Sequence, residues 1–468
     1  GNPLKFTGVA PEAQLVICKV FPDEEDTNGA VGGAEEMDIL AALEDCVKLG
    51  VDAINMSLGS SAGFSTGDNE YMQTVYDNVR EAGISLVVAA SNDYSSSYGG
   101  LYGTNLASNP DSATVGSPST YPSALSVASI NGQESKYIRT VVNGEDKFLY
   151  FTEASDGNGN EKDFVKELMA NNPNLVKDGT LTVEYQVVPG YGMSVNYSRI
   201  NVKGKIAVVR RGGNISFEDK VRTAMQKGAI GCVIYNNVSG IIRMSLGNLS
   251  NPIPTCSITM DSASSIVAAD SGIMYISETQ KAGPFMSDFS SWGPTPELKL
   301  KPEISAHGGE IMSSVANGWA EYSGTSMAAP NMAGAMSLIL SYVNHKCSSF
   351  LGEPGDQNKD AVALANFLVM STATIAKDEY NKPYSPRKQG AGLADITKTL
   401  TTQAYLYSEG IDKAKIEIGD DPNKTGVYEL SFRARNMSDS VRTYTLGTQT
   451  MTETIASDNL TVAERAYM

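Results

Sequence analysis

The first 135 residues alternate short apolar runs with stretches of helical spacing. Gln14–Phe21 (QLVICKVF), Val51–Leu58 (VDAINMSL) and Ile84–Ala90 (ISLVVAA) are apolar runs of strand length. Between them, Glu35–Leu49 carries Ile39, Leu40, Leu43, Cys46 and Val47 at helical spacing, and Tyr71–Ala82 reads as a second helix. Near-continuous apolar strands separated by helices predict a parallel sheet covered on both faces.

From about residue 131 the texture changes. Polar, Gly- and Asn-rich stretches surround short β-rich runs at Lys205–Val209 and Cys232–Tyr235, with one helical stretch at Phe217–Lys227. The α/β pattern resumes at Phe289 and runs to about Leu400, with a long Ala-rich helix predicted over Ser326–Tyr342. After Thr401 the period falls to two, as in Val427–Arg433 (VYELSFR) and Val441–Leu446, which predicts the start of a small antiparallel β-domain. The predicted layout is thus an α/β domain in two parts, 1–133 and 282–400, hosting a β-rich insert at 134–281. A partial β-module follows at 401–468.

Composition narrows the partners. A length of 468 residues implies about three domains, and 41% hydrophobic residues suffice for sizeable cores. The net charge of −17 argues against nucleic acid or an anionic membrane surface as partner, since both would repel the chain. No run of about 18 apolar residues predicts a membrane-spanning helix. There is no signal peptide, and the first residue is Gly1; the chain reads as a fragment or processed form. The five cysteines are scattered and odd in number, so buried thiols are expected, with a Cys232–Cys256 disulfide left open.

The densest chemistry is at Gly324-Thr325-Ser326-Met327-Ala328-Ala329-Pro330, which opens the Ala-rich helix. A serine at a helix start sits beside unpaired backbone N–H groups and the positive end of the helix dipole. The same groups stabilise an oxyanion formed next to that serine. On spacing alone, an ordinary N-cap at Thr325 or Ser326 is the favoured reading.

The segment nevertheless resembles the nucleophile motif of subtilisin-like serine proteases, and four others accompany it in order. Gly8-Val9-Ala10-Pro11-Glu12-Ala13 is similar to the family's GVAP turn, and Ile54-Asn55-Met56-Ser57-Leu58-Gly59 to its INMSLG segment. Val87-Val88-Ala89-Ala90-Ser91-Asn92-Asp93 resembles the strand that ends in the oxyanion-hole asparagine. Phe289-Ser290-Ser291-Trp292-Gly293-Pro294 with Lys301-Pro302-Glu303-Ile304-Ser305-Ala306 matches the approach to the nucleophile.

The resemblance implies a subtilisin-like doubly wound parallel sheet, with Ser326 as nucleophile and Asn92 as oxyanion donor. Ser57, Leu58 and Gly59 then form the edge on which an extended peptide lies, with Ala90 and Ser91 beside it. Ser91 departs from the family's usual glycine, which reshapes the primary specificity pocket. The insert, through Val202–Arg210, Phe217–Lys220 and Ala224–Asn236, resembles a protease-associated domain. That arrangement is similar to the cell-envelope proteinases of the lactocepin type, whose catalytic parts continue into fibronectin-like modules. It implies polypeptide substrates, an extracellular or cell-envelope location, and wall attachment through sequence beyond this chain.

In that family the catalytic Asp and His precede the GVAP turn, so both are expected upstream of Gly1. His307 and His345 lie outside any HGTH-like context and read as structural or surface residues. No cofactor is required. A structural calcium has only the Asp23–Asp26 run to consider, and a solvated loop is the expectation there. The rival reading is a degenerate protease scaffold that acts as a non-catalytic surface binding protein.

Overall fold

The computed structural model describes residues 7–22, 32–65, 70–94, 113–132, 134–238, 242–352, 357–378, 381–419, 421–455 and 462–467. The chain divides into two compact units, 1–132 with 284–468, and 133–283.

The first unit is built on a four-stranded parallel sheet. Helix α1 (Glu36–Leu49), strand β1 (Ala53–Met56), helix α2 (Glu70–Glu81), strand β2 (Ser85–Ala89) and strand β3 (Leu125–Asn131) follow one another. The strands lie in the order β1, β2, β3 and then Ile304–Gly309, all parallel. Every residue of β2 is buried, because helices cover both faces. Val87 and Ala89 face Met332, Met336 and Ile339 of the helix Thr325–Lys346. Leu86 and Val88 face Leu40 and Leu43 of α1 with Tyr76 and Val79 of α2.

Glycine sets two junctions in this unit. Gly50 ends α1 at φ 67°, the left-handed conformation that leaves its N–H free to bond the Cys46 and Val47 carbonyls. Gly308 brings the helix start onto the sheet: Gly324 N–H donates to Gly308 O at 2.8 Å. A Cβ on Gly308 would lie 2.6 Å from Gly324 O.

A buried charge cluster ties in later sequence. Lys301 and Lys415 each reach Glu303, at 2.9 and 3.0 Å. Lys415 Nζ also donates to Leu300 O at 2.7 Å, so residues beyond 401 pack on the α/β layer.

In the 133–283 unit, Thr180–Val187, Ile206–Arg210, Gly231–Tyr235 and Thr255–Ile258 run parallel side by side. Glu145–Ser155 and Ser271–Ile276 flank them antiparallel, and both pair with Ser135–Val142, closing the strands into a ring. Alternate residues feed two cores. Ile206, Val208, Val233 and Cys256 join one, and Ala207, Val209, Cys232 and Ile234 the other. Cys232 and Cys256 therefore point to opposite faces, and both are free thiols, which settles against the disulfide.

Four expectations need correction. Gln14–Phe21 forms no ladder, and Leu15 and Ile17 are 79% and 82% exposed. An apolar run becomes a strand only where a neighbour takes up its N–H and C=O groups, and no described strand lies beside it. Cys18, within it, is exposed instead of buried. Among the described residues the insert holds three α-helices instead of one, Phe164–Asn171, Phe217–Gln226 and Met260–Ala269. Each is capped by a side chain, from Asp163, Ser216 and Thr259, and the two unpredicted ones are only 8 and 10 residues long, too short for their period to stand out. After 401, Ala404–Tyr407 pairs with Arg433–Asn436 and Thr452–Ile455 with Val462–Tyr467. The alternating runs at 427–432 and 441–446 make no ladder, and Val441 is 96% exposed. Alternation marks a face fit for packing, but among the described residues nothing covers it. The Asp23–Asp26 run lies outside the described residues.

Candidate active site

The helix Thr325–Lys346 begins after Gly324, which occupies the N-cap without a side-chain bond. Neither Thr325 nor Ser326 is the cap, which removes the ordinary reading of the motif. Ser326 is the second helical residue, half-buried, and its N–H has no intrahelical acceptor available to it. No acidic residue occupies the first turn to compete for that positive helix end.

Pro330 sits inside the same helix. Proline has no N–H, so the carbonyl four residues back, that of Ser326, loses its helical donor, and the ring crowds it outward. Ser57, just beyond the end of β1, donates its hydroxyl to that carbonyl at 2.8 Å. Asn55 Nδ2 in turn donates to Ser57 Oγ at 3.2 Å. Ser326 Oγ makes a longer contact, 3.4 Å, to Ser57 O.

Asn92 follows β2 at the carboxyl end of the sheet, where open α/β sheets leave a crevice. Its Oδ1 accepts from Thr325 N–H at 2.8 Å and from Thr325 Oγ1 at 2.9 Å. A backbone N–H donates only, so this bond fixes which amide atom is oxygen and turns Nδ2 away from Thr325. A Cβ built on Gly324 would lie 3.5 Å from Nδ2, which places that donor beside the Gly324–Ser326 backbone. Thr325 and the Pro330–Ser57 relation are contacts of this turn that reading the sequence missed, although GTSMAAP contains both the threonine and the proline.

The remaining predicted positions form the adjoining wall. Residues 57–59 make no ladder bonds among the described residues, whereas Ser60 exchanges backbone bonds with Ser117 at 2.9 Å each way. Gly59 is required there, since a Cβ would meet Ser117 O at 2.6 Å. Leu58 packs half-buried on the α1–α2 side. Ala90 is fully buried, donating to Val127 O and accepting from Gly116 N–H. Ser91 holds φ 86°, a left-handed conformation costly for a residue with a Cβ. Its hydroxyl lies against Gly116, where an added Cβ would come within 2.2 Å of Ser91 Oγ.

The two histidines bond other groups. His307 Nδ1 faces Asn131 O at 2.9 Å and His345 Nδ1 faces Ser341 O at 2.7 Å. His345 is at the far end of the Ser326 helix, about 28 Å along its axis. Among the described residues no three His, Cys, Asp or Glu side chains gather as a metal site would need, and no helix is long and apolar enough to cross a membrane.

Sequence comparison places the same elements in a wider set. The chain is 30% identical to the C5a peptidase of Streptococcus pyogenes serotype M18 over 475 residues, covering 99% of this chain and 38% of the relative. It is 31% identical to the PII-type proteinase of Lacticaseibacillus paracasei over 478 residues, covering 97% of this chain and 24% of the relative. The chain therefore spans well under half the length of these curated relatives. Among solved structures, the psychrophilic subtilisin-like protease Apa1 from Pseudoalteromonas sp. AS-11 matches over 80% of this chain and 75% of its own, at 16% identity and TM-score 0.32. The Subtilase family of peptidases (Peptidase_S8) matches residues 1–392, and the chain belongs to that family.

Proposed function

We propose that this chain is the nucleophile-bearing part of a secreted or cell-envelope serine endopeptidase. Ser326 Oγ attacks the carbonyl carbon of a peptide bond, and the resulting oxyanion is held by Asn92 Nδ2 and the Ser326 N–H. The acyl-enzyme then passes to water. Ser57–Gly59 hold the substrate strand, and Ala90 and Ser91 border the pocket for the residue before the scissile bond. A histidine base and an orienting carboxylate complete the reaction, and the family order puts both before the GVAP turn. The 133–283 unit, on its resemblance to a protease-associated domain, governs which proteins reach the cleft.

One observation carries the reading. Asn92, from the end of a central strand, is locked by Thr325 so that its donor lies beside the backbone of the Ser326 turn. A scaffold released from catalysis has no physical need of that alignment. In the full-length gene product, Ser326→Ala should abolish hydrolysis of denatured protein while leaving circular dichroism and melting unchanged. Undiminished hydrolysis by that variant would refute the proposal.

A further inference from the structure

Two walls of backbone lead away from Ser326 and close on residues 116–117. Ser326 Oγ contacts Ser57 O on one wall, and its neighbour Thr325 binds Asn92 Oδ1 on the other. Farther in, Gly116 N–H donates to Ala90 O at 3.2 Å and Ser117 N–H donates to Ser60 O at 2.9 Å. The gap between residues 57–60 and 90–92 thus has Ser326 at its mouth and Gly116–Ser117 across its inner end.

That inner end is tight. Ser60 and Ser117 exchange backbone bonds and bring their hydroxyls to 3.1 Å. A Cβ on Gly63 would fall 2.2 Å from Ser117 N, and one on Gly59 would fall 2.6 Å from Ser117 O. Backbone meets backbone there, so Ser117 cannot retreat and deepen the gap. Ser91 brings a side chain to the same place. Its carbonyl accepts from Ser291 N–H at 3.0 Å, while its hydroxyl lies against Gly116. The point where a Gly116 Cβ would stand is 2.2 Å from Ser91 Oγ and 2.4 Å from Ser60 O, one oxygen from each wall.

We infer that Ser91 restricts the site to peptide bonds preceded by a small residue: glycine, alanine or serine. The inference rests on the proposed role of Ser326 as nucleophile. With Ser326 Oγ on the peptide carbonyl and its oxygen toward Asn92 Nδ2, the side chain on the adjoining carbon enters the gap. Non-bonded heavy atoms rest about 3.5–4 Å apart. A branched or aromatic group reaching the inner end would come closer than that to Ser91 Oγ and Ser60 O together. Crowding a space that cannot relax is costly, whereas a methyl or hydroxymethyl group stops short of it. Glycine at position 91 would remove both the hydroxyl and its Cβ and lengthen the gap by their room.

The test uses the full-length gene product and internally quenched peptides that differ only in the residue before the scissile bond: Gly, Ala, Ser, Leu, Phe or Lys. The kcat/KM for Ala and Ser should exceed that for Leu and Phe by about tenfold or more. Ser91→Gly, which suits the backbone at φ 86°, should raise Leu and Phe relative to Ala by about tenfold. Digestion of a denatured protein mixture, with the new termini read by mass spectrometry, should show the same shift. Fluorophosphonate labelling of Ser326 separates this inference from the reading it rests on. A labelled, active enzyme that prefers Leu, Phe or Lys, or whose preference Ser91→Gly leaves unchanged, would overturn the restriction alone. Neither labelling nor hydrolysis of any peptide would overturn the nucleophile and the restriction together.

Discussion

The Ser57 hydroxyl donates to the Ser326 carbonyl at 2.8 Å, at the acceptor that Pro330 leaves without a helical donor. The proline frees a carbonyl in the first turn of the helix, and a side chain from another strand end takes it. The first turn is thereby bound to β1 instead of only to its own helix.

That relation predicts a coupled pair. Ser57→Ala should cost about 1 kcal/mol of stability, the usual net value of one hydrogen bond. In a Pro330→Ala background the new N–H satisfies Ser326 O, so the same Ser57→Ala change should cost clearly less. Urea unfolding of the four proteins of a double-mutant cycle measures the difference. Equal costs in both backgrounds would show that the bond does not substitute for the helical one.

Asn92 and Thr325 predict a graded loss of catalysis in the full-length gene product. Asn92→Ala should lower kcat about 100- to 1000-fold with KM little changed, the usual loss for one oxyanion donor. Thr325→Val keeps the backbone N–H bond to Asn92 Oδ1 but removes the hydroxyl bond, so its loss should be smaller. A rise in KM at constant kcat for Asn92→Ala would instead make Asn92 a binding or turn residue.

Ser91 predicts a gain in stability. Its φ of 86° suits glycine, so Ser91→Gly should raise stability by about 1 kcal/mol and shift the preferred residue before the scissile bond. Gly116→Ala should destabilise strongly, because its Cβ would meet Ser91 Oγ at 2.2 Å and Ser60 O at 2.4 Å. Thermal melting and a peptide library together read both effects.

Much of this was legible in the sequence. β1, β2 and helices α1 and α2 follow directly from apolar period and length, because burial on both faces dictates continuous apolar strands. The positions of Ser326 and Asn92 follow from motifs whose spacing is local to one strand end or one helix start. What was not legible depends on partners distant in sequence. Gln14–Phe21 has strand composition but no ladder partner among the described residues, and there the run at 427–432 likewise alternates without a covered face. The Ser57–Ser326 bond joins residues 269 positions apart, and no local pattern announces it. The ring of strands in the 133–283 unit depends on Ser135–Val142 pairing with two strands at once, one of them more than 130 positions away.

The buried charge cluster predicts an acid limb of stability. Burial alone would raise the Glu303 carboxyl, but the ammoniums of Lys301, Lys415 and Lys413 outweigh it and hold it at about 2. A carboxyl depressed on folding contributes stability that is present above its unfolded value near 4.5 and is lost as pH falls through the folded one. Unfolding free energy should therefore fall between about pH 4.5 and 2. Glu303→Gln should be destabilised by about 3–5 kcal/mol at neutral pH, since buried lysines lose their counter-charge, and its acid limb should be shallower. Urea titrations across that pH range decide it.

The central claim is that Ser326 is a nucleophile served by an oxyanion site and by a base that neither His307 nor His345 supplies. The most direct measurement is labelling by a fluorophosphonate, with the adduct located by tryptic mass spectrometry. In the full-length gene product, one adduct at Ser326 is predicted, lost in Ser326→Ala and undiminished in His307→Ala and His345→Ala. The isolated 468-residue chain should label very slowly, because among the described residues the Ser326 hydroxyl contacts the Ser57 carbonyl while His307 and His345 bond Asn131 O and Ser341 O instead. An adduct on another serine, none in the full-length protein, or fast labelling of the isolated chain that His307→Ala abolishes would contradict the account.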